Sequence, residues 1–267
     1  MSMKCFKLML LVVVFSVGVA FAAEPVGDSA PWFSNGADDG GLWTTGGNWW
    51  RGTAPTSTED VGHDNGGGTL TVNSSMGGVY ANSLYVGDWG PGSSQAYFSM
   101  DSGLLVLEEE LMIGYRDYDS GSWTDGEGVE HTWENWGNGS ATIHDGIVAV
   151  GTTLGIGSTF KDGFGGVGEL HIDGGIIRAG VLTFGVIDPN IPGTALSVDI
   201  TGGKLMLAGI ITILDPRVTA FGGVGYLEFN YEADQEGYTT ITGVIPEPAT
   251  IAMLGLGGLA LIRRKRA

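Results

Sequence analysis

The 267-residue chain holds one cysteine, Cys5, nine prolines, and only 12 Lys and Arg against 30 Asp and Glu. A lone cysteine excludes an internal disulfide framework and a cysteine-rich zinc module. The shortage of cations excludes a nucleic-acid-binding surface, because a chain with a net charge of −18 repels phosphate backbones. Anionic polysaccharides are repelled in the same way unless divalent cations bridge them. Helical patterning is missing too: no long segment carries an apolar 3.6-residue period. The four histidines, His63, His131, His144 and His171, share no metal-ligand spacing, and no nucleophile-elbow motif supports a Ser-His-Asp arrangement. What is abundant is glycine, 48 residues without the Gly-X-Y period of collagen, in a chain that is 43% hydrophobic. Such a composition predicts an ordered fold of short strands joined by tight turns.

The two ends read separately from the middle. Lys4 and Lys7 precede an apolar stretch at 8–20, followed by Ala20-Phe21-Ala22. This layout predicts a secretory signal peptide over 1–22 and a mature start near Ala23. Cys5 falls inside the leader, before its apolar run, so the mature chain has no cysteine. At the other end stand Pro246-Glu247-Pro248, an uncharged run at 249–262, and the basic cluster Arg263-Arg264-Lys265-Arg266. Two prolines fix φ and remove donors, so the Pro-Glu-Pro stretch stays extended and accessible. A helix over 249–262 would span roughly 21 Å, short of the ~30 Å hydrocarbon core. The basic cluster then holds the end on the cytoplasmic side.

This layout, over 246–267, resembles the PEP-CTERM sorting signal of exported bacterial proteins. The resemblance implies recognition of Pro246, Glu247 and Pro248 by an exosortase-type membrane enzyme, with Arg263, Arg264, Lys265 and Arg266 as the basic end. It also implies transient inner-membrane anchoring through a short transmembrane helix at 249–262. Delivery to the cell surface or extracellular space, alongside exopolysaccharide production, would be the outcome.

Between the signals, residues 24–245 carry 6 Lys and Arg against 29 Asp and Glu. A four-residue pattern recurs there: Leu84-Tyr85-Val86-Gly87, Leu111-Met112-Ile113-Gly114, Leu154-Gly155-Ile156-Gly157, Leu182-Thr183-Phe184-Gly185 and a degenerate Ile211-Thr212-Ile213-Leu214. Its ends are 27, 43, 28 and 29 residues apart. Eleven residues before the last four ends stand Gly103, Gly146, Gly174 and Gly203, preceded by the turn formers Ser102, Asp145, Asp173 and Gly202. Each unit of about 28 residues therefore holds three short strands, too little to bury a face alone, and such units stack.

The expectation is an all-β fold: a right-handed, single-stranded parallel β-helix of about five coils, roughly 24 Å long at ~4.8 Å per rung. Leu111 and Ile113, Leu154 and Ile156, and Leu182 and Phe184 point inward. A β-sandwich is the alternative, but it does not explain the fixed spacing within the period. Residues 23–72 would be an N-terminal cap with the first strands, and 73–245 the β-helical passenger. The long interval places an insertion over 115–138. Leu42-Trp43, Asn48-Trp49, Gly52, Pro55, Asp60 and Gly68-Thr69-Leu70-Thr71-Val72 resemble the opening of autotransporter-like β-helical passengers, which implies fold alone.

Trp32, Trp43, Trp49 and Trp50 lie just before the first coil and read as a cap over the open apolar end, with a sugar platform as the alternative. The insertion interleaves Tyr115, Tyr118, Trp123, Trp133 and Trp136 with acids and His131. Trp123, Trp133 and Trp136 are the candidate glycan-stacking residues, against the plainer reading that they pack on the flank of the fold. Asp117 and Asp119 begin like a calcium loop, but glycine falls at the fifth position and Gly128 at the twelfth, so no EF-hand results. Weak, diffuse calcium binding is left open, with no metal site and no cofactor expected. Asp145 and Asp173 are placed at stacked turns one rung apart, where Asx-turn chemistry accounts for them without catalysis. His144 and His171 are expected on exposed strands of successive coils.

No catalytic residue is expected. The leading expectation is a non-enzymatic structural protein, displayed on the surface or in the matrix and associated with exopolysaccharide. A carbohydrate-binding module using the Trp-rich insertion is the first alternative, and a β-helical polysaccharide lyase or hydrolase the second.

Overall fold

The computed structural model describes residues 31–34, 39–63, 68–87, 95–115, 120–124, 126, 128–134, 137–157, 166–186 and 196–245. The expected leader and the helix of the tail lie outside them. Among the described residues the fold is all-β, with three short 3-10 turns and no α-helix. No helix there is long and apolar enough to cross a membrane.

Three sheets carry the structure. The first is wholly parallel and contains β1 (Trp32–Phe33), β2 (Asp60–His63), β5 (Ser83–Val86), β8 (Glu110–Ile113), β13 (Thr153–Ile156) and β16 (Val181–Phe184). The second, also parallel, contains β3 (Thr69–Val72), β6 (Ala96–Met100), β11 (Asn138–Ile143), β14 (Val167–Ile172), β17 (Leu196–Ile200) and β19 (Val218–Ala220). The third runs parallel through β4 (Val79–Ala81), β7 (Leu104–Leu107), β12 (Ile147–Val150), β15 (Ile176–Ala179) and β18 (Lys204–Ala208). It ends in an antiparallel pair, β21 (Tyr238–Val244) beside β18 and β20 (Tyr226–Tyr231) beyond it. A separate two-stranded ribbon, β9 (Ser120–Thr124) and β10 (Glu130–Glu134), lies between β8 and β11 in the chain.

From β3 onward the chain lays one strand in the second sheet, one in the third and one in the first, then begins again. A parallel partner needs a long crossover, and here two strands supply it in place of a helix. The period-2 alternation of strands then builds the interior. Leu84, Leu111 and Leu154 stand in one file of the first sheet, with Val86, Ile113 and Ile156 in the next, all fully buried. Leu105, Val148, Ile177 and Leu205 do the same in the third sheet, and Phe98, Ala141, Leu170 and Val198 in the second. One buried cluster joins all three inner faces. Each fully buried aliphatic side chain contributes about 1.5–3 kcal/mol.

The last turn departs from the expectation. Ile211-Thr212-Ile213-Leu214 forms no strand, and Leu182 and Phe184 on the preceding β16 are only partly buried. Gly209 takes a left-handed φ of 84°, and the Ile211 N–H donates to Thr239 Oγ1 at 2.9 Å instead of joining a ladder. The free edge of β18 is taken by β21 running the other way. Ile211 and Leu214 still pack on the core, while Ile210 and Ile213 face outward and are exposed.

Candidate functional site

The outward face of the second sheet gathers the polar residues. Thr71, Ser99, Thr142, His171, Asp199 and Thr219 stand in one register file across its six strands. His171 Nε2 is 3.9 Å from Glu169 Oε2 on the same strand, both side chains partly exposed. Asp199 Oδ1 accepts from Thr219 Oγ1 at 3.0 Å and from the Gly222 N–H at 2.9 Å.

At the adjoining turn, His144 Nδ1 lies 3.0 Å from Asp173 Oδ2. Asp145 Oδ1 accepts its own turn's Gly146 N–H at 2.7 Å. Asp145 and Asp173 are therefore not register partners. Ile143 pairs with Ile172 and Ile147 with Ile176, which sets His144 opposite Asp173 and Asp145 opposite Gly174. The glycine with left-handed φ is Gly175, at 61°, in file with Gly103 and Gly146. His144 and His171 occupy different files and do not meet. Among the described residues, no group of three or more His, Asp or Glu side chains converges to hold a metal.

The insertion supplies a second surface. In the β9–β10 ribbon, Trp123 pairs with His131 and Trp133 with Gly121. Alternation puts these four positions on one face, with Ser120, Ser122, Thr124, Glu130, Thr132 and Glu134 on the other. Gly128 turns the ribbon with a φ of 84° and has no heavy atom within 4 Å of its would-be Cβ. Trp136 lies outside the described residues.

The tryptophans before the first coil divide. Trp43 and Trp49 are buried and meet edge to face at 5.4 Å, and Trp49 Nε1 donates to the Trp43 carbonyl at 2.8 Å. Trp32 is partly buried over Gly62, and Trp50 is exposed. Arg51 chelates Glu59 with both terminal nitrogens, Nη2 to Oε2 at 2.6 Å, and its guanidinium holds the Glu59 carboxyl down to about 2.

Two features escaped sequence reading. Asp60, Ser83 and Glu110 stand in file on the outer side of the first sheet, where Ser83 is buried and its hydroxyl lacks a hydrogen-bond partner. Burial pushes the Glu110 carboxyl up, and the charges of Glu109 and Asp60 add to the effect.

His63, at the end of β2, is wholly buried, edge-on to Phe33 at 4.8 Å. Its Nε2 lies 2.9 Å from the Tyr97 carbonyl and 3.1 Å from that of Gly68, so Nε2 carries the proton and donates. Nδ1 is buried without a partner. Burial lowers its pKa to about 4, the two carbonyls opposing part of the shift. Below ~6.5 the unfolded chain therefore binds a proton that the folded chain refuses, and stability falls with pH until about 4. The expected loss is about 3 kcal/mol, from a shift of roughly 2.5 pK units. The unfolding free energies of the wild type and His63→Gln, taken from urea melts between pH 7 and 4, should converge by that amount. Parallel pH curves would refute it.

With this geometry in place, the comparisons add one match. The PEP-CTERM protein-sorting motif is found at residues 244–266, beginning on the last residue of β21. It implies an exported protein sorted at the membrane toward the cell surface and processed by an exosortase-type membrane enzyme. Its Pro-Glu-Pro and basic residues themselves lie outside the described residues. No curated protein and no solved structure matches the chain.

Proposed function

We propose that this chain is a non-enzymatic structural element of the cell surface or extracellular matrix, delivered by its tail and associated with exopolysaccharide. The observation that carries the reading is the sorting motif at 244–266, which begins on the last residue of β21 in a fold that is all-β among the described residues. The three-sheet winding is read as a right-handed parallel β-helix with an autotransporter-like N-terminal opening. Residues 1–22 are read as its export leader and 249–262 as its transient membrane helix.

Intact mass of the protein recovered from producing cells tests delivery. The tail beyond Pro248 should be missing, and replacement of Pro246, Glu247 and Pro248 by alanine should leave the full-length chain in the membrane fraction. Recovery of the complete tail on surface-displayed protein would end the sorting reading.

The ribbon favours one second reading, a carbohydrate-binding module, because Trp123 and Trp133 share a face. Aromatic faces stack on sugars with large buried area. Affinity electrophoresis through a matrix of the producer's exopolysaccharide separates the two. Under the structural reading, Trp123→Ala with Trp133→Ala leaves the migration of the folded chain unchanged. Loss of retardation in that variant, with its melting temperature intact, would favour the binding module.

A further inference from the structure

The end of the fold from which the tail departs has an apolar rim. Ile210, Ile213, Val224, Tyr226 and Ile245 are all more than half exposed, Ile213 at 84% and Val224 at 76%. Single exposed aliphatics are ordinary, but their concentration on one end of a molecule marks a contact surface. All five belong to the last passage of the chain. Ile210 and Ile213 lie in the segment that replaces the missing strand of the first sheet, and Val224 lies two residues before the start of β20. Tyr226 opens β20 opposite Val244, which sets Ile245 beside it.

The short link after Ile245 decides the occupant. Only Pro246, Glu247 and Pro248 separate it from the uncharged run at 249–262. Three residues span at most about 11 Å, less than the depth of one lipid headgroup layer plus a side chain. An anchored tail therefore holds Ile245, and Tyr226 beside it, at the membrane surface. Nearby cations are already paired, Arg217 with Asp215 at 2.6 Å and Lys204 with Asp234 at 2.6 Å, so charge supplies no attraction there. Aliphatic side chains and an interfacial tyrosine are the chemistry that enters a headgroup region without it.

We propose that the rim docks on the lipid surface while the tail is anchored, seating the fold end-on against the bilayer. This rests on the reading of 249–262 as a membrane segment.

The mature chain from Ala23 onward, which has no cysteine, is reconstituted into phosphatidylethanolamine–phosphatidylcholine vesicles containing brominated lipid. Single-cysteine variants Ile213→Cys, Val224→Cys and, on the flank of the second sheet, Tyr97→Cys carry a fluorescent label. Labels at 213 and 224 should be quenched at least about twofold more than the label at 97. Equal quenching at all three positions, in a chain that stays with the vesicles through carbonate washing, overturns the docking alone. A chain released by the wash overturns the anchor and the docking together. Self-quenching at 224 that fades as lipid is added would mean that a second copy covers the rim, and would overturn the lipid assignment.

Discussion

Gly114→Ala is expected to cost about 2–5 kcal/mol, whereas Gly52→Ala costs only about 1–2 kcal/mol. Both glycines have left-handed backbones, with φ of 71° and 75°. An L-residue pays the same steric penalty of about 1–2 kcal/mol at either site. The surroundings then separate them. Around Gly52 nothing lies within 4 Å of the added carbon. At Gly114 that carbon would fall 2.0 Å from the Val167 carbonyl oxygen, 2.4 Å from its carbon and 2.7 Å from Gly168 Cα. All three are backbone atoms of the start of β14, so no side chain can rotate aside and the strand itself must move. Gly114 follows β8 where the chain leaves the first sheet, and the Gly114 N–H donates to the Val86 carbonyl at 2.8 Å, which pins the corner. Gly87 repeats the arrangement, with the Asn138 carbonyl at 2.4 Å. Thermal melts should show Gly114→Ala lowered by on the order of 10 °C, for a fold of this size, and Gly52→Ala by far less. Equal shifts for the two variants would show that backbone strain alone sets the need for glycine.

The same corners explain what could be read without coordinates. Alternation and glycine punctuation are local signals, so Leu111, Ile113, Leu154 and Ile156 were legible as interior residues and are fully buried. Register is not local. Ile143 pairs with Ile172 and Ile147 with Ile176, an offset of 29, whereas Leu154 pairs with Leu182, an offset of 28. The chain gives up one residue between β15 and β16, and counting back from Gly185 therefore lands on Gly174 in place of Gly175. That single slip set Asp145 beside Asp173 and hid the contact of Asp173 with His144. His63 was illegible for another reason. Its carbonyl partner Tyr97 is 34 residues away on another sheet, and an isolated histidine leaves no spacing to read. The final turn failed because Ile211 does not pair beside β16 but gives its N–H to Thr239 Oγ1 on β21, a strand that returns antiparallel and that no repeat period announces. The ribbon's place between β8 and β11 matches the long interval, but the face shared by Trp123 and Trp133 emerges only from the pairing.

Trp49→Ala is expected to destabilise the fold by about 3–5 kcal/mol, and Trp50→Ala by no more than about 0.5 kcal/mol. The two are adjacent in sequence but 2% and 67% exposed. The Trp49 ring stands edge-on to Phe33 at 5.5 Å and to Trp43 at 5.4 Å, so its loss opens a cavity between the two remaining aromatic side chains. It also strips the Trp43 carbonyl of the indole donor at 2.8 Å in a buried site. That neighbour is itself tied to the first strand of the second sheet, through the Trp43 N–H to the Thr71 carbonyl at 3.0 Å and the Thr71 N–H to the Gly41 carbonyl at 2.9 Å. Loosening Trp49 therefore frees the edge of β3 as well as the end of the core, and an unpaired edge invites association with other chains. Urea unfolding followed by tryptophan fluorescence should show the midpoint of Trp49→Ala well below that of Trp50→Ala, with concentration-dependent light scattering only in the former. A cost under about 1 kcal/mol at Trp49 would mean that the core closes without the aromatic cluster. A large cost assigns Trp43 and Trp49 to the buried end of the fold.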